Sequence, residues 1–150
     1  MENKAYRTFA LTLAASFVIM YGVMFLNLDS TNHIYLSTTR LYMTLLMVSL
    51  MALLMLAFMA DMYKNKKLNA LIITLSISVF IASLAFLRNQ TFVGDAQYMK
   101  AMIPHHSSAI LTSQNASLQD PEVRRLADDI IEAQEREIAQ MKEMLDRLEK

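Results

Sequence analysis

Residues 41–60 read LYMTLLMVSLMALLMLAFMA, an unbroken run without one charged side chain. As a helix, about 20 residues extend roughly 30 Å, the thickness of a bilayer's hydrocarbon core. Two more runs share this character, Phe9 to Leu28 and Leu68 to Leu87. The three together predict transmembrane helices at about 9–28, 41–60 and 68–87, within a membrane segment 1–90 of an all-α chain. Composition agrees: 55% of the 150 residues are hydrophobic and 19% charged, against about 45–50% and about 25% in soluble domains. Two Gly and two Pro leave few places to interrupt a helix.

Lys4 and Arg7 precede the first run, as they would in a secretory signal. The small residues Ala14, Ala15 and Ser16 lie inside the apolar stretch rather than after it, and two further spans follow. The first run is therefore expected to remain as an uncleaved helix. Lys4, Arg7, Lys64, Lys66 and Lys67 fall on one side of the predicted bilayer, and Arg40 and Arg88 on the other. Cytoplasmic loops retain Lys and Arg, so the N-terminus is expected in the cytoplasm of a bacterial inner or plasma membrane, and the C-terminal third in the periplasm or outside the cell. Tyr6, Tyr35, Tyr42 and Tyr63 sit at the predicted span ends, where amphipathic rings anchor.

Beyond Leu87 the composition changes. Arg88 to Gly94 is a polar connector, and from Asp95 onward eleven acidic residues face seven basic ones. This predicts a water-facing domain over 91–150. Asp120-Pro121-Glu122 divides it, with Asp suited to the N-cap, Pro to the first helical position and Glu to the positive end of the helix dipole. The expectation is a helical hairpin, Asp95 to Leu118 and Pro121 to Leu148.

At 100° per residue the second helix gathers Ala127, Ile130, Gln134, Ile138, Met141, Leu145 and Leu148 on one stripe, with Glu137 and Met144 at its edge. Polar groups beside an apolar stripe need partners. The first helix offers them, since Asp95, Met99, Met102 and His106 recur at spacings of four, three and four, with His105 beside them. Imidazole suits copper, zinc, iron and nickel, and thioether sulfur narrows the choice toward Cu(I). Gln134 or Glu137 would ligate directly or orient an imidazole through its second nitrogen. The plain alternative is one core His, one surface His, and methionines that fill gaps in packing. Pro104, just before the His pair, removes a helical hydrogen bond. Either an ordinary bend follows, or a kink that opens a carbonyl and turns the imidazoles inward.

The segment Asp95 to Leu145, with Met102-Ile103-Pro104-His105-His106, Ala109-Ile110, Ala127, Ile130-Ile131, Gln134, Glu137-Ile138 and Met141, resembles the domain-of-unknown-function 305 family. That resemblance implies a ferritin-like helical fold and, because the family includes periplasmic copper-binding proteins, points to His105, His106, Met102, Glu137 and Met141 as ligand positions. Met99 and Gln134 complete the candidate set. Where relatives often carry a further Met after the His pair, this chain has Thr112. A ferritin-like fold has four helices round its core, so one hairpin is expected to complete the bundle as a homodimer.

Met43, Met47, Met51, Met55 and Met59 invite comparison with copper permeases. An interval of four drifts about 40° per step, however, so the row spirals round the helix instead of lining one wall. His33, in the first external loop, is a lone potential ligand. The His-bearing helix has no Glu-x-x-His pair for a di-iron centre. Neither a Ser-His-Asp arrangement nor a phosphate loop is visible, so no enzyme is expected. The absence of Cys excludes disulfides, thiolate metal sites and cysteine catalysis. With 14 basic and 14 acidic residues, no nucleic-acid partner is expected either. The reading is thus a membrane-anchored metal-binding protein, copper first, with zinc or another divalent ion possible. A structural or partner-binding protein without metal and a copper permease are the alternatives.

Overall fold

The computed structural model describes the backbone from Glu2 to Lys150 and the side chains from Lys4. Among these residues the fold is all-helical. In order it comprises α1 (Glu2–Val23), a 3-10 turn (Thr31–His33), α2 (Thr38–Phe58), α3 (Lys66–Asn89), α4 (Asp95–Asn115) and α5 (Pro121–Leu148). The chain forms two compact units: one holds α1 up to Val23 together with Thr39–Phe92, the other Met24–Thr38 together with Val93–Lys150.

In the first unit α1, α2 and α3 are each long and apolar enough to cross a membrane. Their burial is inverted relative to a water-soluble bundle. Leu11, Val18, Leu54, Phe58, Leu71 and Ile81 are exposed, while Thr44, Ser49, Ser76 and Ser83 are buried. Large apolar side chains facing outward and small hydroxyl residues facing inward are what helices surrounded by lipid display, because small residues let such helices approach closely. Two of the buried hydroxyls bond within their own helix, Thr44 Oγ1 to the Arg40 carbonyl and Ser49 Oγ to that of Leu46, each at 2.9 Å. Among the described residues, no fully buried side-chain nitrogen or oxygen lacks a hydrogen-bond partner.

Phe9 on α1 packs with Ala52 and Leu56 of α2 and with Tyr63, flanked by Tyr6, Leu13, Met55 and Ile72. Near the other end Tyr42 stacks at a tilt on Phe86 and donates to the Thr91 carbonyl at 2.7 Å. The methionines of α2 do not share one environment: Met43, Met47 and Met59 are exposed, Met51 and Met55 half-buried, and Met59 lies past the helix end.

Helix ends differ from the apolar runs. α1 begins before Phe9, because Lys4 and Arg7 are good helix formers that water can solvate, and it stops at Val23 instead of Leu28. Met24 to Leu28 instead join the second unit, where Asn27 donates from Nδ2 to Ser108 Oγ at 2.6 Å.

In the second unit α4 and α5 form the expected hairpin. Its core is Met99, Ile103, Ile110, Ile138 and Leu145, flanked by Tyr35, Ala96, Ile131 and Met141. α4 runs through Pro104 without a restart but ends at Asn115, three residues short of the expected Leu118. Ala116 to Gln119 form the turn, and Asp120 caps α5 by accepting from the Glu122 and Val123 amides at 2.9 and 3.0 Å. Arg124 reaches back from α5 to the Ser113 carbonyl at 3.4 Å and pairs with Asp128. At the open end Lys100 pairs with Glu149, which sets the N-terminal end of α4 beside the C-terminal end of α5.

Candidate metal centre

The His-bearing face of α4 follows from its core positions. Met99, Ile103, His106 and Ile110 recur at four, three and four, so the helix buries them on one side. Ile103 takes the central place, and Met102 lies half-buried at the flank. Pro104 is also wholly buried. The two histidines therefore part company. His106 is only 8% exposed, whereas His105 points to solvent with its ring 6.1 Å from that of His106.

Both nitrogens of the His106 ring are engaged. Nδ1 lies 3.0 Å from the Met102 carbonyl one turn earlier, and Nε2 lies 2.7 Å from Glu137 Oε2 on α5. A carbonyl only accepts, so Nδ1 carries a proton and donates. Nε2 then faces a carboxyl group, a contact satisfied by one proton between the two atoms or by a cation in its place. A backbone carbonyl behind one ring nitrogen, leaving the other aimed outward, is how metal-binding imidazoles are usually oriented. Glu137 is about half exposed, with 48% of its side chain accessible, so the site opens to water on the α5 side.

The remaining candidates distribute unevenly. Met102 precedes His106 by four residues, and Met141 follows Glu137 by four. In an antiparallel hairpin both thioethers therefore lie one turn from the His106–Glu137 contact toward the same end, that of Lys100 and Glu149. Met141 is half-buried and packs on the core cluster that contains Met99. Gln134 is half-buried one turn toward the opposite end. Among the described residues no group of three His, Cys, Asp or Glu side chains gathers round one point.

Ser107 was not singled out by its sequence. It is wholly buried and joins the α1–α2 loop to the hairpin: its Oγ accepts from the Asp29 amide at 2.9 Å and meets His33 Nδ1 at 2.9 Å. Next to it Ser108 holds Asn27, and Thr38 donates from both its amide and its hydroxyl to Gln97 Oε1 at 2.9 Å. His33 is thus docked, not a solvated loop residue. Burial holds its imidazole below the ordinary value of 6.5, the Lys142 ammonium adds to this, and Asp29 partly opposes it. The ring is then neutral at neutral pH, with Nδ1 accepting from the Ser107 hydroxyl. No local signal in the sequence marks this role, because Ser107 and His33 meet only through tertiary contact.

Residues 80–150 match the family described as "Domain of unknown function (DUF305)". The "Uncharacterized protein L153" of Acanthamoeba polyphaga mimivirus is 39% identical over 140 residues, covering 91% of this chain and 90% of that protein. No solved structure matches. The viral protein aligns far beyond the DUF305 domain, so the likeness takes in apolar helices as well as the hairpin. The chain belongs to the DUF305 family, with that family's domain at its C-terminal end.

Proposed function

We propose that this protein is a membrane-anchored metal-binding protein that holds a soft ion, copper first, in its hairpin for sequestration or hand-over. The observation that carries the reading is the His106 ring, fixed through Nδ1 by the Met102 carbonyl and presenting Nε2 to the Glu137 carboxylate at 2.7 Å. An ion would take the place of the proton between Nε2 and Oε2. With no third His, Cys, Asp or Glu beside these two among the described residues, further donors would be the thioethers of Met102 and Met141. Sulfur donors favour Cu(I) over zinc and other divalent ions. His105 remains at the surface as an entry ligand, while Met99 and Gln134 support the neighbouring packing. No catalysed reaction belongs to the proposal.

In this reading the three apolar helices anchor the chain in a bacterial inner or plasma membrane, with the hairpin on the periplasmic or extracellular side. The α1–α2 loop packs with the hairpin in one unit, and this supports three crossings, since both segments must then emerge on the same face. Val123, Leu126, Met144 and Leu148 are exposed on α5. Pairing of two hairpins about a twofold axis would cover them and complete a four-helix bundle as a homodimer. The permease alternative gains nothing from α2, whose methionines face several directions.

A hairpin without metal is the second reading. It is favoured by the mutual satisfaction of His106 and Glu137, which by itself locks the register of α4 on α5. Elemental analysis of the full chain purified without a polyhistidine tag separates the two. Stoichiometric copper supports the first reading, and protein free of transition metal after copper loading and gel filtration supports the second.

A further inference from the structure

We infer that the end of the membrane unit built from the start of α1 and the α2–α3 connection is a docking surface for anionic phospholipid headgroups. The inference rests on the membrane reading but is separate from the metal centre.

Lys4 and Arg7 lie about sixty residues away from Lys64, Lys66 and Lys67 in sequence, yet the fold unites them through Tyr6. The Tyr6 hydroxyl donates to Asn69 Oδ1 at 2.7 Å and accepts from the Asn65 amide at 3.1 Å. Its ring lies 5.4 Å from that of Tyr63, which also meets Phe9 edge to face at 5.3 Å. Lys4 and Arg7 flank Tyr6 on one segment, and the three lysines flank Asn65 on the other. All five are exposed, and none forms an ion pair among the described residues. Asp61 is the acidic side chain described nearby.

The ligand chemistry follows from what is left over. Asn65 Oδ1 already accepts from the Lys67 and Leu68 amides at 3.1 Å, so the first turn of α3 does not present those donors to a phosphate. Recognition falls to the ammonium and guanidinium groups, which reach from the helix ends to headgroup level on long apolar stems. Tyr6 and Tyr63 mark that level, as interfacial rings do. Several cations held at the depth of lipid phosphates, with little compensating acid, attract anionic lipid over zwitterionic lipid.

The test uses the full chain in vesicles of phosphatidylcholine and phosphatidylglycerol in equal parts, followed by mild detergent extraction and native mass spectrometry of retained lipid. Retained phosphatidylglycerol should exceed phosphatidylcholine about fivefold, the equivalent of one ammonium's attraction to an anionic surface. The variant K4Q/R7Q/K64Q/K66Q/K67Q should return that ratio to the bulk mixture, while R125Q, on α5, should leave it unchanged. Retention at the bulk ratio by the parent chain, with the protein resisting alkaline carbonate extraction, would overturn the inference and leave the membrane reading intact. Extraction by carbonate would overturn both. Displacement of the retained lipid by millimolar inorganic phosphate would show a soluble-anion site and equally overturn the assignment to lipid.

Discussion

Replacing Ser107 by Ala should loosen the α1–α2 loop from the hairpin while leaving the hairpin folded. Ser107 is wholly buried on α4, and its hydroxyl supplies one donor and two acceptor positions. Two groups of the loop use it, the Asp29 amide and His33 Nδ1, each at 2.9 Å. The substitution removes one oxygen, so no methyl-sized cavity opens and the core of Ile103 and Ile110 is untouched. Each lost bond is worth about 0.5–1.5 kcal/mol net. Because the Asp29 and His33 side of the junction is only partly buried, water can replace some of that, and a total of about 1–2 kcal/mol is expected. At about 1.4 kcal/mol per tenfold, the loop should open roughly five to thirty times more often. Hydrogen exchange at the Asp29 amide reads this directly. Faster exchange at Asp29, with Ile138 and Leu145 amides unchanged, is the expected result. Unchanged exchange at Asp29 would refute the view that Ser107 holds the loop.

Two further outcomes follow from the same unit. Docking of the loop should weaken on acidification, because the His33 imidazole is held below 6.5 when docked and returns to about 6.5 when released. Above 6.5 both forms are neutral and docking is complete; as pH falls from 6.5 through the lowered docked value, only the released loop takes up a proton, and below that value no further change occurs. Exchange at Asp29, corrected for its intrinsic pH dependence, should rise over that window, and His33→Asn should flatten it; tighter docking at lower pH would contradict the sign. For topology, a reporter active only in the cytoplasm should be silent when fused after Lys150 and active when inserted at Lys64, and the reverse pattern would invert the orientation.

Much of the fold was legible because its signals are local. Three charge-free runs specified three helices, and Asp120-Pro121-Glu122 specified the start of α5 at the position where it begins. Ends were less legible. α1 leaves the helix at Val23 although Met24, Phe25, Leu26 and Leu28 are apolar, since these residues belong with Ser108 and the hairpin, and no local pattern shows a partner eighty residues away. α4 likewise ends where Asp120 and Arg124 need room to cap and clamp the turn.

At the site, spacing brought Met99, His106, Ile138 and Leu145 to facing surfaces, and so placed His106 against Glu137. Spacing alone did not separate His105 from His106, because neighbouring residues differ by only 100° and Ile103 decides which face turns inward. The contribution of the first loop was invisible for a further reason: Ser107 and His33 are joined through tertiary contact, and a buried serine has the same sequence signature as a solvated one.

The most direct measurement of the central claim is Cu(I) affinity of the untagged full chain, read by competition with a chromophoric chelator, for the parent, His106→Ala and Glu137→Gln. Loss of a ligand or of the group orienting it should weaken binding by about 10–100-fold or more. The account predicts tight stoichiometric binding by the parent, a loss of this size in both variants, and little change in R125Q. Equal affinity in the parent and the His106→Ala chain would contradict it, leaving His106 and Glu137 as a lock between two helices.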